Sequence, residues 1–197
     1  MRRTGHTPLR RFQRAMAKRL GRVYPGTDVE TEWRAISTIK GLYSPRLDIA
    51  VGPFSVERHH TQGGTYDRLM DRSRVFFERL ISFHQLNVEN HRTRDPQIDK
   101  PYMIPDFREL KEFNWNARCL LAVEIENQVT RKHLLGGVVN AAALGRVGIV
   151  VGWTDDKVTA LVRLQSYWEF LASVEKNTFR TRNLLILRRE QLRLALS

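Results

Sequence analysis

Leu9, Phe12, Met16 and Leu20 recur at a three-four spacing, which predicts an amphipathic helix whose other positions are largely basic. After Pro25-Gly26, Thr27 followed by Glu30 reads as a capping box and predicts a helix from Thr27 to about Lys40, stopped by Gly41. Pro45 breaks any helix, and Arg46 to Val51 reads as a strand closed by Gly52-Pro53. The Gly63-Gly64 turn opens a long helical pattern through Tyr66, Leu69, Ser73, Phe76, Leu80 and Phe83, with Met70 and Phe77 widening the stripe.

From His91 to Pro105 the chain is polar and proline-broken, as in an exposed loop. A strand is expected over Arg118 to Glu126, then a small-residue helix from Thr130 to Leu144 closed by Gly145. Val147 to Val151 is uniformly apolar, the pattern of a strand covered on both faces. Thr154 with Asp155 and Asp156 starts a helix whose buried line is Leu161, Leu164, Trp168 and Leu171. Asn183 to Leu187 predicts a last strand, followed by a short basic tail. Strands alternating with helices predict an α/β fold, a mixed sandwich around one central sheet with parallel crossovers.

Charge changes this picture most. The 197-residue chain carries 33 Lys and Arg against 21 Asp and Glu, a net +12 that favours a polyanionic partner. Residues 1–24 are expected to form a basic helical arm. Between Met1 and Arg22 it holds Arg2, Arg3, Arg10, Arg11, Arg14, Lys18, Arg19 and Arg22, and no acid. A second basic cluster, Arg180, Arg182, Arg188, Arg189 and Arg193, lies near the C-terminus. The first segment fits a phosphate-contacting arm, a membrane-surface helix or a transit peptide. We favour the arm, because serine is missing and nothing marks a cleavage site.

No run approaches the roughly 18 apolar residues of a membrane helix, so no membrane association is expected. The single Cys119 excludes an internal disulfide and suits a reducing, cytoplasmic compartment.

The segment with chemical content is Cys119-Leu-Leu-Ala-Val-Glu-Ile-Glu-Asn-Gln128. In a strand, Val123 and Ile125 face one way while Ala122, Glu124 and Glu126 face the other. Two carboxylates at the end of an apolar strand repel each other and resist desolvation, so they call for a compensating cation. Oxygen donors suit Mg²⁺, or Mn²⁺ in its place. Asp48, an isolated acid in an apolar strand, reaches the same sheet end as Glu124 if the two strands are neighbours. Such a site would polarise a phosphodiester and lower the pKa of an attacking water.

On these residues, Pro45-Arg46-Leu47-Asp48 and Glu124-Ile125-Glu126, the chain resembles the PD-(D/E)XK nuclease superfamily, with the helix and apolar strand that follow in the family's order. The resemblance spans about Glu30 to Val151. It implies a restriction-endonuclease-like three-layer sandwich with a central mixed sheet over residues 25–197, and Mg²⁺-dependent hydrolysis of DNA. It also implies that Asp48, Glu124 and the carbonyl of Ile125 bind metal. The family's lysine position holds Glu126, so either Glu126 acts there as ligand or base, or Lys132 supplies the cation from the next helix. Arg10, Arg11, Arg14, Lys18, Gln128 and Arg131 are the expected DNA contacts, Arg131 at a helix start that favours phosphate. Cutting both strands would suit a homodimer.

Blander readings compete. Asp48 can cap a turn, and Glu124 with Glu126 can be the solvated face of an edge strand paired with Arg118 or Arg131. Glu30 is a capping acid, and Glu32 is either solvated or near the metal. The alternative functions are a nuclease-like fold that only binds nucleic acid, and an assembly protein whose basic tails meet RNA or lipid.

Overall fold

The computed structural model describes residues 7–35, 44–56, 61–91, 104–127, 131–176 and 180–197, with the side chains of 131–133 not described. It is an α/β protein built on a five-stranded mixed sheet in the order β1-β2-β3-β4-β5. The strands are β1 (Val29–Arg34), β2 (Arg46–Val51), β3 (Cys119–Glu126), β4 (Gly145–Gly152) and β5 (Leu184–Arg188). β1 pairs with β2 and β2 with β3 antiparallel, whereas β3, β4 and β5 run parallel. Helices α5 (Arg131–Leu144) and α6 (Asp155–Ser173) carry the two parallel crossovers. Among the described residues, no helix is long and apolar enough to cross a membrane.

Both faces of the sheet are covered. Val123, Ile125, Ile149, Val151, Leu185 and Leu187 point toward α1 (Pro8–Val23), α2 (Gly63–Arg72), α3 (Arg74–His91) and α7 (Arg189–Ala195). Ala50, Ala122, Val150 and Ile186 meet Leu134, Val138, Ala141, Val158 and Leu161 of α5 and α6 on the other face. This cover on both faces is why Cys119–Val123 and Val147–Val151 read as apolar runs: every position of β3 and β4 is buried. Gly148 lets α5 lie close to the sheet, since a Cβ there would stand 2.7 Å from the backbone of Ala141.

The N-terminal helix starts at Pro8, with the Thr7 hydroxyl accepting the Arg10 N–H at 3.4 Å. Its apolar stripe, Phe12, Met16 and Leu20, is buried in the main core, while Arg10, Arg11, Arg14, Lys18 and Arg22 remain exposed.

The helix expected from Thr27 is a strand. Val29 to Arg34 pair with β2 from Val29 opposite Val51 to Arg34 opposite Arg46, and Gly52 N–H extends the ladder to Asp28 O at 2.8 Å. Thr27 and Glu30 imitate a capping box, but β-branched Val29 and Thr31 and the buried Trp33 suit the pleated edge of a sheet. Non-local pairing overrides a weak local helix signal. The rest of that expected helix, 36–40, lies outside the described residues.

The long helical pattern is two helices, α2 and α3. Ser73 between them donates to Leu69 O at 2.8 Å and shares a 2.9 Å hydrogen bond with Tyr24 OH. A serine bonded back to the carbonyl four residues earlier bends a helix there. The long α3 then covers the edge of β5: His84 Nδ1 accepts the N–H of Ile186 at 3.0 Å, and Asn87 donates to Ile186 O at 2.9 Å. These buried polar residues satisfy backbone groups that an edge strand would otherwise expose. The expected basic tail includes α7, and a short helix, α4 (Phe107–Leu110), precedes β3.

Candidate active site

β2 and β3 set the site. Their antiparallel register pairs Ile49 with Val123, and just past that pair Asp48 Oδ2 accepts the Ile125 N–H, which brings Asp48 beside the Glu-Ile-Glu end of β3. The parallel register carries Glu126 opposite Gly152, and Gly152 opposite Arg188. The start of β2 and the carboxyl ends of β3, β4 and β5 therefore form one end of the sheet, where loops of α/β proteins usually hold ligands.

Glu124 and Glu126 point to the α5 face and are only 8% exposed each, so they are not the solvated side of an edge strand. Asp48 is half-buried, and its Oδ2 accepts the Ile125 N–H at 2.7 Å. Gly137 of α5 makes room for the two glutamates, because a Cβ there would collide with Glu126 Oε1 and approach Glu124 Cβ at 3.7 Å. Asn140, one turn on, donates to Glu124 Oε1 at 3.5 Å, a long hydrogen bond.

On the other side, Glu32 interrupts β1 with φ 58, a left-handed conformation that costs a non-glycine residue about 1 kcal/mol or more. Its carboxylate is held by Arg46 Nε at 2.8 Å and by Gln13 Nε2 at 3.0 Å. The same Gln13 nitrogen donates to Asp48 O at 2.6 Å, so α1 reaches the acidic edge.

Electrostatics follow from this crowding. Burial, then the charges of Asp48 and Glu126, pushes Glu124 up to about 9, against hydrogen bonds from Asn140 and the Asp48 backbone. Burial and Asp48 raise Glu126 to about 7, and Lys157 in the first turn of α6 opposes that rise. Asp48 is raised to about 6 by burial, opposed by the Ile125 N–H, with Glu32 raising it further and Arg46 lowering it. Clustered acids with too little positive charge nearby hold protons that a bound cation would displace.

All the donors are hard oxygens, the set that suits Mg²⁺ or Mn²⁺. Among the described residues, however, no three His, Cys, Asp or Glu side chains close around one point as a metal cage. Mg²⁺ asks for less: one or two carboxylates, with water and substrate phosphate completing the shell. The residues fit on those terms.

The remaining expected site residues divide in two. Arg10, Arg11, Arg14 and Lys18 lie on the exposed side of α1. Gln128 lies outside the described residues, as do the side chains of Arg131 and Lys132, whose backbone belongs to the first turn of α5. A surface cleft of about 700 Å³ lined by Asp67, Asp71, Arg74, Phe107, Lys111 and Trp115 shares no residue with the acidic edge.

Gln13, Gly137, Asn140 and Lys157 escaped the reading of the sequence. Gln13 left one signal, a polar side chain beside the apolar stripe of its helix. Gly136-Gly137 inside a helix, where glycine is costly, was another. Comparison of the chain with protein-family models, curated proteins and solved structures returned no match.

Proposed function

We propose that this protein is a Mg²⁺-dependent endodeoxyribonuclease of restriction-endonuclease-like fold, hydrolysing DNA phosphodiester bonds at the acidic sheet edge. The observation that carries the reading is the delivery of Asp48, Glu124 and Glu126 by adjacent strands to one buried end of the sheet, beneath α5. Order along the chain also supports it: the aspartate strand, then the Glu-Ile-Glu strand, then a helix, then a parallel apolar strand.

Asp48 and Glu124, with the Ile125 carbonyl, would hold the metal. The metal would polarise the scissile phosphate and acidify a bound water. Glu126, raised to about 7, is poised to accept the proton of the attacking water near neutral pH. Lys157 offsets charge at Glu126 and supplies positive charge that the missing motif lysine would otherwise bring. Gln13 and the Ile125 N–H fix the β2 strand and its carboxylate. The exposed cations of α1 neutralise DNA phosphates.

The test is nicking of supercoiled plasmid by purified protein with Mg²⁺, Mn²⁺ or EDTA, alongside Asp48→Asn. Metal-dependent nicking by the wild type, abolished in the variant, supports the reading; nicking that survives in D48N refutes it. Two observations favour a second reading, DNA binding without cleavage. Glu126 replaces the motif lysine, and no closed carboxylate trio is formed among the described residues. DNA retention without metal dependence would decide for it.

A further inference from the structure

The two basic ends of the sequence meet in space. Arg19 of α1 donates through Nη1 to the carbonyl of Arg193 in α7 at 3.1 Å, across 174 positions of chain. The Arg193 guanidinium stands 5.2 Å from the centre of the Phe12 ring, and that of Arg189 stands 4.9 Å from the Trp153 ring. Phe12 and Trp153 are themselves in edge contact at 5.6 Å with their planes at 88°. Each aromatic residue also touches the acidic edge through its neighbourhood. Gln13, next to Phe12, donates to Asp48 O at 2.6 Å, and the Trp153 N–H donates to Glu126 O at 3.0 Å.

We propose that α1 and α7 form one phosphate-binding surface for duplex DNA beside the acidic edge, with Arg189 and Arg193 contributing contacts that α1 alone does not provide. The choice of DNA rests on the nuclease reading above; the surface itself rests on the geometry. Helix α1 carries Arg10, Arg11, Arg14, Lys18, Arg19 and Arg22 and no acid. Its buried apolar stripe is spent on the core, so it has no free hydrophobic face to insert into a bilayer. Sixteen helical residues hold these cations on a rod about 24 Å long, in a fixed array.

The arginines of α7 extend that array. A guanidinium held over an aromatic face has N–H groups beyond the ring, and these match phosphate oxygens in paired hydrogen bonds. Arg189 also pairs with Glu190 at 2.5 Å, but this contact is partly exposed and an exposed pair is weak enough to be exchanged for phosphate. A buried acidic site repels DNA by itself. Cations fixed on its border offset that repulsion and hold the backbone beside the carboxylates.

The experiment measures binding of a fluorescent DNA duplex to the full chain in EDTA, as a function of salt. Wild type is compared with R189Q/R193Q and R189K/R193K, all checked for unchanged far-UV circular dichroism and melting. Losing two phosphate contacts should reduce the steepness of log K against log salt by about 1.8 and weaken binding roughly tenfold. The lysine pair should keep most of the salt dependence, because it retains both charges. An unchanged slope in R189Q/R193Q overturns the proposal, as does a lysine pair that behaves like the glutamine pair. Tighter retention on phosphatidylserine vesicles or an RNA hairpin than on the duplex also overturns it. Because binding is read without metal, absence of nicking in a separate Mg²⁺ assay removes the hydrolase reading and leaves a positive slope result supporting this surface.

Discussion

The backbone N–H of Ile125 donates to Oδ2 of Asp48 at 2.7 Å, tying the carboxylate of one strand to the middle of the neighbouring Glu-Ile-Glu motif. This bond orients Asp48 and stabilises its charged form, while burial and Glu32 act against ionisation. The acidic edge is therefore organised before any ligand arrives, at an electrostatic cost. Its consequences can be measured.

Replacing Asp48 by Asn or Glu124 by Gln should reduce metal-dependent cleavage by more than about 100-fold, since loss of an outer-shell partner alone typically costs about 10–100-fold. Salt-sensitive DNA binding in EDTA should persist. Steady-state plasmid nicking and duplex binding, measured on the same preparations, separate the two effects.

Glu124→Gln should also stabilise the metal-free protein, increasingly so at higher pH. The folded pKa of about 9 lies above the ordinary 4.5. Below 4.5 both states are protonated and there is no penalty. Between 4.5 and 9 the unfolded chain gives up the proton that the folded one retains, so wild-type stability falls, by up to roughly 1.4 kcal/mol per pH unit. The variant lacks that slope. Urea denaturation in EDTA across this range reads the difference, and a gap that narrows as pH rises contradicts the assignment.

Gly137→Ala should preserve or raise thermal stability through helix propensity, worth about 0.5–1 kcal/mol, yet displace Glu126 by collision with its Oε1. Slower plasmid nicking with little change in Mg²⁺ affinity by calorimetric titration, and with the fold intact, is the expected result. An unchanged nicking rate would mean that Glu126 can move aside without consequence.

Lys157→Met removes the cation that opposes protonation of Glu126. If Glu126 is the proton acceptor, the rising limb of the pH–rate profile should move to higher pH, by roughly half a unit or more. A uniform drop in rate with no displacement of that limb would assign Lys157 a different role.

His84 gives an acid-side prediction of the opposite sign. Burial lowers it from 6.5 to about 4, while it accepts the Ile186 N–H. Above 6.5 it is neutral folded or unfolded and contributes its full stabilisation. As pH falls from 6.5 to about 4 the unfolded state takes up a proton first, costing roughly 3 kcal/mol in total. Subtracting the pH profile of His84→Gln from that of wild type should isolate this loss.

Local sequence went far where a residue's face is fixed by its own strand or helix. The spacing of Phe12, Met16 and Leu20 gave the buried side of α1, and Glu-Ile-Glu put two carboxylates on one side of β3, opposite Val123 and Ile125. The uniformly apolar Val147–Val151 announced a strand buried on both faces. These are short-range periodicities, set by backbone geometry and readable without knowing the neighbours.

Partnership was different. Nothing local told that Val29–Arg34 would leave its helix-start pattern to pair with β2, or that β2 would lie beside β3 and bring Asp48 to the Ile125 N–H. Nor did it tell that Gln13 and Lys157 would reach that edge, or that Arg193 would meet Phe12, from helices far apart in the chain. Register and helix placement are chosen by burial of whole faces against one another, a many-body choice in which each residue's own preference is a small term. The sequence supplied the acids and the cations; packing of α1, α6 and α7 around the sheet decided which of them meet.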